Sequence, residues 1–151
     1  MGTWILSAHR AGACLYEQAV KGAALETLIT IDHPEGRLRD RQLNSDRFGR
    51  AFDSHGHGRR AMAPSERPTE RIAADFARTL TEDLNTARAA GCFDHLIIVA
   101  EPTMLGLLRS QLDDATSKHL QHTLDKEFRA DELDKLCQAL SDHEYLELPG
   151  S

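Results

Sequence analysis

Over residues 37–60 the chain (RLRDRQLNSDRFGRAFDSHGHGRR) offers no apolar repeat, neither the alternation of a strand nor the three-to-four spacing of a helix. Any folded core must therefore be built from the two blocks on either side of it. The segment holds Arg37, Arg39, Arg41, Arg47, Arg50, Arg59 and Arg60 against Asp40, Asp46 and Asp53, a net +4 in a chain of formal net charge −6, which leaves −10 for the rest. Long connections inside compact domains are functional or unstructured. Guanidinium groups form planar forks that pair phosphate. Gly49, Gly56 and Gly58 suit positive φ or close backbone approach. We read the segment as a phosphate-contacting loop on an acidic body. The competing reading is a solvated insertion whose arginines pair with the acidic surface around it.

Ahead of this segment the pattern is that of strands. Residues 3–8 (TWILSA) form a short apolar run, a His9-Arg10-Ala11-Gly12 turn follows, and residues 13–20 (ACLYEQAV) alternate, so a β-hairpin is expected. Residues 25–31 (LETLITI) make a third strand, closed by Pro34. Behind the segment, Ile72, Phe76, Leu80 and Leu84 recur every four residues with Ala73, Ala77 and Ala87 on the same side, which predicts a long helix capped at Thr69 and stopped at Gly91. Residues 96–100 (LIIVA) are a continuous apolar run, the mark of a strand buried on both faces. A short helix over 104–112 opening near Pro102, an edge strand over 119–124 and a last helix from Asp131 complete the order. The expected fold is a single three-layer-like α/β domain with a mixed five-stranded sheet. A three-strand meander is followed by a βαβ crossover, with the long helix after the Arg/Gly-rich loop. The domain covers residues 1–141, and the acidic tail 142–151 is expected to be loose.

Composition narrows the chemistry. No apolar run approaches the length of a membrane span, and MGTWILSAHR has no basic region ahead of its apolar stretch, so a cytoplasmic protein without membrane contact is expected. Aromatic residues are 5% of the chain, too few for a base-stacking platform. Cys14, Cys92 and Cys137 are odd in number and scattered, which argues against a disulfide framework. Cys14 and Cys92 read as buried small hydrophobes. His55 and His57 with Asp53 supply at most three ligands and no thiolate, so neither metal nor cofactor is expected. His119 and His122 read as surface histidines on opposite sides of an edge strand. Ser54 beside His55 is not triad geometry, no GxSxG elbow exists, and Gly-His-Gly lacks the Lys-Ser/Thr of a phosphate-binding P-loop. Glu101 follows an apolar strand and reads as a strand-end carboxylate before a catalytic one. The balance leans away from an enzyme.

Four stretches together resemble one bacterial family: the opening TWIL, DHPEGRLRDRQLNSDRFGRAFDSHGHGRRAM, GCFDHLIIVAEPTMLGLLR and HLQHTLDKEF. The family is that of host attachment proteins, described as required for attachment to host cells. The likeness runs over residues 3–140. Its most specific part passes through His33, Pro34, Glu35, Asp46, Arg47, Gly49, Arg50, Phe52, Asp53, Ser54, Gly56, Gly58 and Arg59. That family is similar in turn to the middle domain of archaeal and eukaryotic class I release factors. There, three strands precede a long glycine-rich loop and a long helix, and the loop carries the Gly-Gly-Gln that promotes peptidyl-tRNA hydrolysis. Here the corresponding place reads His55-Gly56-His57-Gly58-Arg59-Arg60. The loop position and the arginines carry over, and the Gly-Gly-Gln does not.

The resemblance implies an RNA partner, ribosome or tRNA, bound without hydrolysis. Arg47, Arg50, Arg59 and Arg60 are the expected phosphate ligands. Gly49, Asp53, Ser54, His55, Gly56, His57 and Gly58 are expected to shape the loop, Asp53 and Ser54 through local side-chain-to-backbone bonds. Two other readings stay open. One is a hydrolase of a nucleotide or RNA ester with His55 or His57 as base. The other is a protein-interaction module that affects attachment to host cells indirectly.

Overall fold

The computed structural model describes residues 2–33 and 68–149. Strands β1 (Gly2–His9), β2 (Gly12–Gln18) and β3 (Glu26–Asp32) come first. Helix α1 (Pro68–Ala89), strand β4 (Phe93–Ala100), helix α2 (Pro102–Gln111), the one-turn α3 (Asp114–Ser117) and strand β5 (Leu120–Leu124) follow. A 3₁₀ turn (Ala130–Glu132) leads into α4 (Leu133–Asp142). The sheet order is β3-β2-β1-β4-β5. β1 pairs antiparallel with β2 and parallel with β4, β2 pairs antiparallel with β3, and β4 pairs parallel with β5. The meander followed by a crossover onto the same mixed sheet is thus observed.

Period-two alternation sorts the side chains between two cores. Leu6, Ala8, Leu15, Leu96, Ile98 and Ala100 face α1 and α2, where Phe76, Leu80, Leu84, Met104 and Leu108 meet them. Ile5, Cys14, Tyr16, Ile97, Val99 and Leu124 face α4 through Leu136, Ala139 and Leu140. β4 lies inside the sheet between β1 and β5, and its residues Leu96–Ala100 are wholly buried, as an unbroken apolar run requires. Burying each such branched side chain contributes about 1.5–3 kcal/mol before chain entropy is counted.

Several boundaries and environments differ from the sequence reading. α1 begins at Pro68, so Thr69 lies inside its first turn and is not the cap. Proline suits that position, since the N–H it lacks has no intrahelical partner there. β4 begins at Phe93, three residues early, because Phe93 is buried and lies 4.9 Å from the Trp4 ring. Cys92 is exposed, contrary to the expectation of burial. It sits in the turn that ends α1, where its N–H donates to Ala87 O and that of Gly91 to Arg88 O. This is a Schellman closure, with Gly91 at φ +77°. His119 lies before β5 with its Nδ1 2.7 Å from Asp94 O. His122 is half-buried and stacks on Tyr145 at 4.2 Å. The tail is not loose as far as Leu148. Tyr145 and Leu146 pack against the α4-side core, Leu148 is buried, and Gln18 Nε2 donates to Glu147 O. The apolar residues of the tail outweigh its acidic ones.

Candidate nucleic-acid interface

The Arg/Gly-rich segment leaves the body after β3 and returns at α1, and the described residues define both attachment points. β1, β4 and β5 run the same way, and β3, antiparallel to β2, runs with them. The last residue of β3, Asp32, is therefore at the carboxyl edge of the sheet. Three residues (Ala90, Gly91, Cys92) separate the end of α1 from the start of β4, so α1 runs back along the sheet and its N-terminus returns to the same edge. His33 ties the two points together. Its ring stacks on Phe76 of α1 with centroids 4.0 Å apart and planes 5° from parallel. Its Nδ1 lies 2.8 Å from Arg10 O, and its backbone N–H donates to Ala11 O at 2.8 Å. Departure and return of the segment are thus held by one aromatic stack and two hydrogen bonds.

This edge also collects positive helix ends. α2 starts here, directly after β4, and its unsatisfied N–H groups are met by Glu101, whose carboxylate accepts from Thr103 N at 3.1 Å and Met104 N at 2.7 Å. Glu101 is therefore a helix N-cap, which explains an acidic residue behind an apolar strand without chemistry. Between the ends of β1 and β4 the chain leaves the sheet in opposite directions, toward β2 from one and toward β5 from the other. Such a switch point at the carboxyl ends of parallel strands is where open α/β sheets bind ligands.

Sequence reasoning passed over His9, which lies at that point. It is buried, and its Nδ1 accepts the Ala11 N–H at 3.2 Å, so the neutral ring carries its proton on Nε2. His9 also lines a cavity of about 300 Å³ with Cys14, Thr30, Asp32, Arg129 and Asp131. A Cβ at Gly12 would come 2.5 Å from Ile31 O, so the backbone there closes as tightly as only glycine allows. The available signal was a polar residue ending an otherwise apolar first strand.

Arg47, Gly49, Arg50, Asp53, Ser54, His55, Gly56, His57, Gly58, Arg59 and Arg60 all lie outside the described residues. Among the described residues no three His, Cys, Asp or Glu side chains gather as a metal site. No helix among them is long and apolar enough to cross a membrane.

A sequence model of the family described as "Protein required for attachment to host cells" matches residues 4–140. The chain belongs to that family. The match begins in β1 and ends in α4, so it takes in the whole sheet, both attachment points and the Arg/Gly-rich segment between them. No curated protein matches the sequence. Among solved structures the chain is similar to one titled "Archaeal protein", with a TM-score of 0.51 at 15% identity over 96% of this chain. The chain spans about a third of that protein's length (34%), and at this identity the likeness concerns the fold alone.

Proposed function

We propose that this member of the host attachment family is an RNA-binding protein, acting on the ribosome or tRNA through the Arg/Gly-rich segment and without peptidyl-tRNA hydrolysis. The observation that carries the reading is the shared anchorage of the segment's two ends at the carboxyl edge, through His33, Phe76 and Arg10. A net +4 segment is tethered at the start of α1, a helix end that favours anions, on a body that is otherwise acidic. Charge of that kind suits a phosphate backbone, and the acidic remainder confines contact to one place. Arg47, Arg50, Arg59 and Arg60 bind phosphate on this reading, while Gly49, Gly56 and Gly58, with Asp53 and Ser54, set the path of the backbone. His55-Gly56-His57-Gly58 replaces the Gly-Gly-Gln of the release-factor middle domain, so the release-factor-like fold serves binding and not ester cleavage. The protein then acts inside the cell and influences attachment indirectly.

The test is co-sedimentation with ribosomes, and binding to tRNA, at several salt concentrations for wild type and Arg59→Ala/Arg60→Ala. Loss of two phosphate contacts lowers the slope of log affinity against log salt by about 1.5–2 and weakens binding, with thermal stability unchanged. Equal affinity and equal slope in the double variant would remove the segment from the interface. Absence of co-sedimentation and of tRNA binding at every salt concentration would remove RNA.

A further inference from the structure

β3 closes one side of the sheet and is paired with β2 alone. Six of its seven residues are exposed, whereas six of the seven in β2 are buried. Among the described residues the exposed large apolar side chains are Val20, Leu28 and Ile29, all in the chain from the end of β2 through β3. The free side of β3 also presents backbone. His33 N–H donates to Ala11 O, and the register continues unbroken from Gly12–Asp32 to Leu15–Ile29. Bonded and non-bonded pairs alternate in an antiparallel ladder, so Ile29 and Ile31 turn their backbone groups toward β2 and Thr30 turns its N–H and C=O outward. Such an edge is a template for another strand unless Lys, Pro or bulges guard it. β3 has neither Lys nor Pro, and one bulge, where Leu28 has no opposite residue in β2.

The side chains select what is added. Cross-strand partners share a face, so Ile29, opposite Leu15, lies on the α1 side, and Ile31 packs against the core there. Glu17 lies on that face too, because its Oε2 accepts from Nε1 of Trp4, which packs against the same core. The register sets Glu26 directly opposite Glu17, an arrangement in which like charges repel. Trp4 gives Glu17 a neutral donor, while Glu26 has no hydrogen bond or ion pair among the described residues. Lys21, in the β2–β3 connection, is already paired with Glu147.

We propose that β3 takes an added antiparallel strand from a protein partner, a segment apolar in its first half and basic in its second. Its backbone pairs with Thr30, its apolar side chains lie beside Ile29 and Ile31, and its cation meets Glu26 and offsets the repulsion from Glu17. A second copy of this chain is the poorer occupant, since β3 has no basic residue to bring to Glu26. The inference rests on β3 and does not depend on the RNA reading.

The probe is a blocked, dye-labelled peptide, Val-Thr-Val-Thr-Lys-Thr-Lys, whose antiparallel addition sets valines beside Ile31 and Ile29 and a lysine beside Glu26. Its controls are the same peptide with glutamate for lysine, and the lysine peptide N-methylated at every threonine, where its N–H groups face β3. Binding to the full chain is read by anisotropy at a constant ionic strength of about 0.15 M, and the Thr30 amide is followed by NMR. The lysine peptide is expected to bind saturably, shift the Thr30 amide and slow its exchange with solvent, and both controls to leave it in place. Thr30→Pro removes an N–H that β2 does not use, which an edge strand tolerates, and is expected to abolish binding. Glu26→Gln is expected to weaken the lysine peptide about threefold, and Glu26→Lys to reverse the preference toward the glutamate peptide. The Glu26 variants change an exposed side chain, so they decide if Thr30→Pro disturbs the fold. No saturable binding overturns the proposal, and so does equal binding of the methylated peptide, which would be contact without strand addition. Persistence of the lysine preference in Glu26→Lys also overturns it, since diffuse attraction to an acidic protein would then account for the binding. A Thr30 amide that moves with protein concentration alone would make a second copy the occupant and overturn it as well.

Discussion

At the carboxyl edge of the sheet the N-termini of α1 and α2 sit beside His9, His33 and the roots of a net +4 segment. At the amino edge, toward which α1 and α4 run, Gln18, Asp94 and Glu147 line a cleft. Both ends are made by the same five strands. They differ because every helix that follows a parallel strand must run back along the sheet, which sends its positive end one way and its negative end the other. Charged side chains then reinforce the polarity that the topology imposes. The arginine-rich segment is rooted at the edge where α1 begins, and Asp94 and Glu147 lie at the edge where α1 and α4 end. The opposite polarity of the two edges is thus a property of the fold.

The sharpest way to break this comparison is to damage one end and ask whether the other notices. Phe76 is buried and carries His33 on its ring. Phe76→Ala should cost about 3–5 kcal/mol in urea unfolding, and in the folded fraction it should weaken RNA binding while leaving the NMR signals of the Gln18 side-chain amide in place. The reciprocal change is Leu148→Ala, which removes a buried apolar contact of the tail. Its cost should fall near 2 kcal/mol, the low end for Leu→Ala, because a tail residue leaves a site that can collapse. It should shift the signals of the Gln18 side-chain amide, which donates to Glu147 O of the tail, and leave the RNA salt slope unchanged. If both variants impaired both ends equally, the two edges would be one cooperative site.

How much of this was legible beforehand depends on the kind of signal. The LIIVA run and the four-residue repeat of Ile72, Phe76, Leu80 and Leu84 announce a central strand and a long helix, because burial on a regular element writes its period into the sequence. The three-strand meander followed by a crossover followed from element order alone. The tail misled because DHEYLELPGS reads as acidic, whereas its apolar residues decide its placement: Leu148 is buried, and Tyr145 and Leu146 pack against a core that includes Ile5, Cys14 and Tyr16, over a hundred positions away. Glu101 looked like a strand-end carboxylate until the start of α2 gave it two N–H groups to accept. Gln18 carried no local signal, and that of His9 was only a polar residue at the end of the first strand. Each became meaningful only when β1 was paired with β2 and the edge of the sheet existed.

A finer comparison lies within the amino edge itself. α1 and α4 end in the same closure, Cys92 N–H to Ala87 O with Gly91 N–H to Arg88 O, and Tyr145 N–H to Leu140 O with Glu144 N–H to Ser141 O. The residue that must turn left-handed is Gly91 at φ +77° in one and Glu144 at φ +59° in the other. Gly91→Ala should therefore cost about 1 kcal/mol. Glu144→Gly should add roughly 0.5–1 kcal/mol, the strain relieved less the extra freedom of glycine in the unfolded chain. Thermal melts of the two variants should move in opposite directions. A Glu144→Gly protein no more stable than wild type would mean that the left-handed backbone at Glu144 costs the fold nothing.

The smallest effect is electrostatic. Asp113 caps α3, close to the end of α1, where its Oδ1 accepts from Thr116 N at 2.7 Å and Oδ2 lies 3.7 Å from Arg88 Nη2. The hydrogen bond with the Thr116 side chain, then that from its backbone, and last the Arg88 guanidinium hold this carboxyl below the usual aspartate range. A carboxyl whose pKa is lower folded than unfolded stabilises the fold above its unfolded value, near pH 4, and the contribution is lost as pH falls through the folded value. Asp113→Asn keeps an acceptor at the cap and removes the titration. Wild type should be the more stable at pH 6, and the gap in melting temperature should close on acidification below about pH 4. A gap that stayed constant from pH 6 to pH 2 would mean that the cap acts through hydrogen-bond geometry alone, and that Arg88 contributes nothing to the charge balance where α1 ends.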